Sequence, residues 1–144
     1  MNKKDQASSY FDEGFSCSQA VLAVFAEDFG MDREIAFRLS TPFGGGIASS
    51  GDICGAVSGA LMAIGLKYGR IKGDDLESKE NAYEKVREFI AEFGKRNGNI
   101  DCKDLLGHKI YNPDGTKNPL AEKAADEKCD GLVRSAIEIL ENIL

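Results

Sequence analysis

The chain has 144 residues, of which 42% are hydrophobic, and it carries a formal net charge of −6. This length suits one domain, because a chain of about 150 residues buries roughly 68–70% of its unfolded surface and so forms its own core. The acidic balance argues against nucleic acid as a partner, since phosphate binding requires clustered Lys and Arg. We therefore predict a single domain over residues 1–144 that needs no disulfide for stability.

The sequence also predicts no membrane insertion. Residues 1–6 are polar and lead into no apolar run, which argues against a secretory signal. The longest apolar stretch, over residues 53–66, is shorter than the ~20 residues that cross a bilayer, and it contains glycines. We expect a cytoplasmic protein, in which thiols stay reduced and cysteines more often serve metal or redox chemistry than structural bridges.

Apolar residues recur at helical spacing in the first third of the chain, and hardly any segment alternates for long as a strand does. A short helix is predicted over residues 2–13. A second helix begins near Ser16 and ends at Gly30, a residue typical of helix C-termini. A third is capped by Asp32 and ends before Pro42, because the residue before a proline disfavours helical geometry.

Glycines then interrupt the pattern. Three follow one another directly and are too flexible for regular structure: Gly44, Gly45 and Gly46. Their successive N–H groups could bind an anion or donate hydrogen bonds to cluster sulfurs, and the alternative is a flexible turn. Three more recur at intervals of four on a helix predicted over residues 52–68: Gly51, Gly55 and Gly59. Close approach of another helix explains such a stripe, and so does space for a cofactor beside Cys54.

The second half of the chain continues the helical pattern. A long amphipathic helix is predicted over residues 74–96, and a short helical turn over 102–106. Asn118 caps a last segment over 120–144, which we expect to be split near residues 130–131. Short connections between these helices predict an all-α, antiparallel bundle of about five to six helices.

Four cysteines fall on the apolar faces of four different predicted helices: Cys17, Cys54, Cys102 and Cys129. No two form a Cys-x-x-Cys pair, which argues against a thioredoxin motif and a common zinc ribbon. In a bundle with one core, four such residues can converge. The first three lie near predicted helix N-termini, where free N–H groups stabilise a thiolate. The four are candidate redox residues and metal ligands; the alternative is that they fill the core as small hydrophobic residues.

Other motifs of catalysis are missing. His108, the single histidine, lies in a predicted loop, and nothing pairs it with a serine or cysteine as a hydrolase requires. It is a candidate extra metal ligand or proton donor, and we expect a partly exposed loop residue. The sequence has no Gly-Lys-Ser or Gly-Lys-Thr for a P-loop, and no Glu-x-x-His for a di-iron carboxylate bundle.

One segment resembles a known family. Residues 54–59 read Cys-Gly-Ala-Val-Ser-Gly and match the Cys-Gly-Ala-x-x-Gly motif of the redox-active proteins called the C_GCAxxG_C_C family. The four cysteines match those of the family, and residues 43–46, 51–54 and 102–107 are similar to it as well. The resemblance covers nearly the whole chain and implies redox activity without a defined reaction. It extends to the helical N-terminal region of split-Soret cytochromes, which implies an iron–sulfur centre.

Four hypotheses follow. In the first, the four cysteines bind an iron–sulfur cluster, most simply [2Fe–2S], and exchange electrons with a redox partner protein. In the second, they are metal-free thiols that cycle through disulfides. The third is a structural zinc site, and the fourth is a non-enzymatic helical binding module with cysteines in its core. Covalent haem is not expected, because the chain has no Cys-x-x-Cys-His.

Overall fold

The computed structural model describes all 144 residues and contains no β-sheet. Its α-helices are α1 (Lys3–Asp12), α2 (Cys17–Ala26), α3 (Arg33–Ser40), α4 (Gly55–Tyr68), α5 (Leu76–Asn97), α6 (Cys102–Leu106) and α7 (Pro119–Ile143). Two short 3-10 helices, Glu27–Phe29 and Thr41–Phe43, follow α2 and α3. The predicted all-α fold is confirmed, with seven helices where about five to six were expected. None of these helices is both long and apolar enough to cross a membrane.

The centre of the fold is the packing of α4 against α2. Nearly every residue of α2 is buried, because its sequence is apolar all round. The two helices approach closely at Gly59, where a Cβ atom would lie 2.6 Å from the backbone oxygen of Ser18. The predicted role of this glycine in close helix packing is confirmed. Around the pair lie α1, α5 and α7, which add Ala7, Phe93 and Ile137 to the same core.

The end of the chain differs from the prediction. We expected a break near residues 130–131, yet α7 is one continuous helix. A glycine inside a helix costs only about 1 kcal/mol. Burial of Val133, Ile137 and Leu140 at helical spacing offsets this cost, because each large side chain contributes roughly 1.5–3 kcal/mol when fully buried.

The start of α4 also differs from the prediction. The helix begins at Gly55 and not near residue 52, because residues 51–54 pair with the chain just before α6. The Cys54 N–H donates to the Ile100 oxygen at 2.7 Å, and the Cys102 N–H donates to the Asp52 oxygen at 2.6 Å. Gly51 is consequently a left-handed residue before the helix, with φ of 80°, and is not part of a helical stripe.

A four-cysteine cavity as the candidate functional site

Three of the four cysteines lie at helix N-termini, as the sequence predicts. Cys17 is the first residue of α2, after the N-cap Ser16, and Cys102 is the first residue of α6. Cys54 is itself the N-cap of α4. Cys129 differs, since it lies in the middle of α7. Cys54 and Cys102 are buried, whereas Cys17 and Cys129 are half-buried.

All four cysteines line one cavity of about 180 Å³. Most of its other walls are apolar: Phe11, Leu105, Leu106, Ile110, Ala125 and Leu132. The cavity is partly open to solvent. The structure thus brings together, from α2, α4, α6 and α7, the four residues that the sequence singles out.

Several of the predicted glycines make room for these cysteines. Gly45 and Gly55 line the cavity directly. A Cβ atom at Gly55 would overlap the Cys17 sulfur, and one at Gly46 would lie 2.7 Å from the Cys102 Cβ. A side chain at Gly46 or Gly55 would therefore clash with a cysteine side chain of the cavity.

The glycine loop has an unusual backbone. Five consecutive residues have φ between 48° and 72°: Gly45, Gly46, Ile47, Ala48 and Ser49. Positive φ is uncommon for residues with a side chain and is a clear outlier for a β-branched one. Such strain persists only where the surrounding structure imposes it, and it clusters at functional sites.

Backbone hydrogen bonds impose this conformation. The Ala48 N–H donates to the Pro42 oxygen at 2.8 Å, and the Asp52 N–H donates to the Gly46 oxygen at 2.9 Å. Because Asp52 also accepts the Cys102 N–H, the loop is connected to the start of α6. The strained loop therefore fixes the positions of Cys54 and Cys102 relative to each other.

The cavity raises the pKa of every thiol. Burial raises the pKa of Cys102 to about 11 and, together with the neighbouring thiols, that of Cys129 to about 12. Burial also raises the pKa of Cys17 and Cys54, and the closeness of Cys17 adds to the effect on Cys54. The thiols are close enough to influence one another electrostatically, so they form one site.

Backbone N–H groups oppose this effect at two of the sulfurs. Hydrogen bonds from Gly45, Ser18 and Ala56 lower the otherwise raised pKa of Cys17. Those from Ala56 and Val57 do the same at Cys54, where burial again dominates. Both sulfurs therefore have donors that favour negative charge.

The donor set decides which metal groups fit. No three side chains among Cys, His, Asp and Glu lie close enough together to hold a single metal ion. Cysteine is nevertheless the residue that holds iron–sulfur clusters, and four cysteines line this one cavity.

His108 does not line the cavity. It is half-buried and follows Gly107, the left-handed residue that ends α6. The prediction of a partly exposed loop residue agrees with this position, and the structure gives His108 no partner among the cysteines.

Gln19 is a residue of the site that the sequence analysis overlooked. Its Oε1 accepts the Ser16 N–H at 3.0 Å, and its Nε2 donates to the Phe37 oxygen and to Thr41 Oγ1, both at 2.9 Å. It thereby holds the start of α2, with Cys17, against the chain that enters the glycine loop. The Ser-x-x-Gln spacing of residues 16–19 is a capping-box signal that could have revealed it.

Fold and site together define a helical protein in which four thiols line one apolar cavity that is partly open to solvent. Residues 15–143 match the family described as "Putative redox-active protein (C_GCAxxG_C_C)". The chain belongs to this family, and the resemblance noted in the sequence is confirmed. A relative from Archaeoglobus fulgidus, described as an uncharacterized protein, is 28% identical over 94% of this chain and 89% of its own length. No solved structure matches the chain significantly.

Proposed function

We propose that this protein transfers electrons through an iron–sulfur cluster held by Cys17, Cys54, Cys102 and Cys129. One observation carries the proposal: four thiols from four separate elements line one apolar cavity of about 180 Å³. Four cysteine thiolates are the usual ligands of [2Fe–2S] and [4Fe–4S] clusters. The family's description as redox-active supports the same class of function.

The cavity itself argues against cysteines that only fill the core. Protein interiors are close-packed, and holes larger than a water molecule are few. Cysteines that only fill the core would be packed against other side chains, whereas these four line a cavity that is partly open to solvent. A binding module also gives no reason for the strained loop beside the thiols.

The raised pKa values disfavour disulfide chemistry by free thiols at two of the four cysteines. At neutral pH a thiol with a pKa of about 11 or 12 is protonated, as expected for Cys102 and Cys129. Disulfide exchange requires the thiolate as nucleophile, so metal-free chemistry at these two residues would be slow. A metal must also displace the thiol protons, but its bonds to sulfur supply free energy for that displacement.

When bound, a cluster would supply one-electron transfer. The four cysteines would hold it, and the apolar walls, Phe11 and Leu132 among them, would exclude water. The N–H groups of Gly45 and Ala56 would stabilise negative charge on the sulfurs. The net charge of −6 favours a basic protein as electron-transfer partner, because complementary charge speeds association.

The experiment is an anaerobic purification, with cluster reconstitution, followed by visible absorption and assays of iron, zinc and acid-labile sulfide. We expect broad visible absorption and roughly two irons and two sulfides per chain for [2Fe–2S]. Cys54→Ser should bleach or alter the spectrum, whereas His108→Ala, outside the cavity, should leave it unchanged. A colourless, iron-free protein after reconstitution would refute the proposal, and stoichiometric zinc would point to the structural alternative.

A further inference from the structure

Ser16 provides the single polar side chain, other than the four thiols, in the wall of the cysteine cavity. The remaining lining residues are glycines and apolar side chains. Gly44 makes room for Ser16, because a Cβ atom at Gly44 would lie 2.8 Å from the Ser16 Cβ. The glycine loop therefore accommodates Ser16 in the same way as Gly46 accommodates Cys102.

The Ser16 hydroxyl is the hydrogen-bond donor to its two neighbours. Ser18 Oγ lies 3.0 Å away and already donates its own hydrogen to the Ser40 oxygen at 2.9 Å. Gln19 Oε1 lies at 3.2 Å and can only accept. The Gln19 amide is fixed in this orientation, because its Nε2 donates to the Phe37 oxygen. The one hydrogen of the Ser16 hydroxyl thus faces two acceptors.

Neither acceptor depends on this hydrogen. Gln19 Oε1 also accepts the Ser16 N–H at 3.0 Å, and Ser18 Oγ keeps its bond to the Ser40 oxygen. Rotation of the Ser16 hydroxyl toward the cavity therefore gives up only a bond between neutral groups. A hydrogen bond to an ionised acceptor is roughly twice as strong as a neutral one. A negatively charged sulfur in the cavity is consequently the preferred acceptor for this hydroxyl.

We propose that Ser16 is the side-chain hydrogen-bond donor to sulfur in this site and that it raises the reduction potential of a bound cluster. The proposal rests on the proposed function and adds to it a residue outside the four cysteines. A hydrogen bond to sulfur stabilises the more negative, reduced state more than the oxidised one, and so helps to set the reduction potential. The Ser16 hydroxyl keeps its proton throughout, and the electron comes from an external reductant.

Substitutions at Ser16 test the proposal in the reconstituted protein, with dithionite as the reductant. Ser16→Ala and Ser16→Gly remove the hydroxyl, and each should lower the equilibrium constant for reduction about tenfold. For one electron this corresponds to a midpoint potential lower by about 59 mV. Ser16→Thr retains a hydroxyl and should keep a potential close to that of the wild type. Unchanged potentials in Ser16→Ala and Ser16→Gly would overturn the proposal.

Ser18→Ala is the matched control. It removes a buried hydroxyl that does not line the cavity, together with one of the two acceptors that compete for the Ser16 hydrogen. The midpoint potential should therefore stay the same or rise. A fall as large as that in Ser16→Ala would show that the potential follows the packing of α2 and not a hydrogen bond from Ser16, which would contradict the proposal.

Resonance Raman spectra of the loaded protein test hydrogen donation directly. Exchange into D2O replaces the hydroxyl hydrogen and should shift the iron–sulfur stretching bands of the wild type. The shift should be smaller in Ser16→Ala and of wild-type size in Ser18→Ala. Equal shifts in the wild type and Ser16→Ala would refute donation by Ser16 while leaving the cluster itself established.

A last measurement needs no cluster. Because glycine is tolerated at helix N-caps, the urea midpoint of metal-free Ser16→Gly should stay close to that of the wild type, whereas Gln19→Ala should lower it. A fall in Ser16→Gly as large as in Gln19→Ala would show that the hydroxyl hydrogen is committed to its present neighbours, and would overturn the proposal. Failure of the wild type to take up iron would instead count against the proposed function.

Discussion

The strained loop makes Ala48→Gly an informative substitution. Ala48 has φ of 48° and is exposed, so its methyl group makes little contribution to the core. Left-handed geometry costs a residue with a Cβ atom roughly 1–2 kcal/mol, and glycine avoids this cost. Glycine also raises the entropy of the unfolded chain, which opposes the gain by about 0.4–1 kcal/mol. The net expectation is a stabilisation of roughly 0.5–1 kcal/mol, with a melting temperature higher by about 2 °C.

Ala91→Gly is the matched control for this prediction. Ala91 is also exposed but lies within α5, where its backbone is right-handed. There the same loss of a methyl group should destabilise by about 1 kcal/mol. In urea and thermal unfolding of the reduced, metal-free protein, Ala48→Gly should therefore raise the unfolding midpoint and Ala91→Gly should lower it. If Ala48→Gly destabilises as much as Ala91→Gly, the left-handed loop is not the conformation of the protein in solution.

Three further predictions concern packing, the capping network and pH. Gly59→Ala should lower the free energy of unfolding by about 1–3 kcal/mol in urea, because the new Cβ would meet the backbone of α2. Gly65→Ala is the control on the same helix: its Cβ would meet nothing within 4 Å, so the free energy of unfolding should rise slightly. Gln19→Ala should lower the free energy of unfolding by roughly 1–2 kcal/mol, because it removes several hydrogen bonds at the start of α2. Gln6→Ala is the control and should cost less, since the Gln6 side chain makes one long hydrogen bond. Equal losses would refute the proposed role of Gln19. The pKa of Cys102 is about 11 in the folded state and ~8.5 in an unfolded chain. The contribution of the protonated Cys102 thiol to stability is therefore complete below pH ~8.5 and is lost as the pH rises toward 11. Urea midpoints of the metal-free protein should thus fall from pH 8 to pH 10 more steeply in the wild type than in Cys102→Ala, and parallel slopes would contradict this reasoning.

Local signals in the sequence predicted much of the site. Ser16 and Asp101 are typical N-cap residues, and they place Cys17 and Cys102 at helix starts as observed. Helical periodicity placed Cys129 on the apolar face of its helix. These inferences succeed because each depends on residues within one or two turns.

The parts that failed depend on contacts between distant segments. Nothing in Ile47, Ala48 and Ser49 indicates positive φ, since none of these residue types favours it. The loop adopts this geometry because it is bonded at both ends, to the chain before it and to the start of α6. The late start of α4 has the same origin, in the pairing of Cys54 with Ile100. Long-range pairing of this kind leaves no periodic trace in the sequence.

The wide separation of the four cysteines has a consequence for assembly. Cys129 belongs to α7, the last helix of the fold, so the complete ligand set exists only after nearly all of the described chain has been synthesised and packed. A bound cluster would cross-link the four segments that carry the cysteines and so close three long loops. Its binding free energy would add to the stability of the folded state.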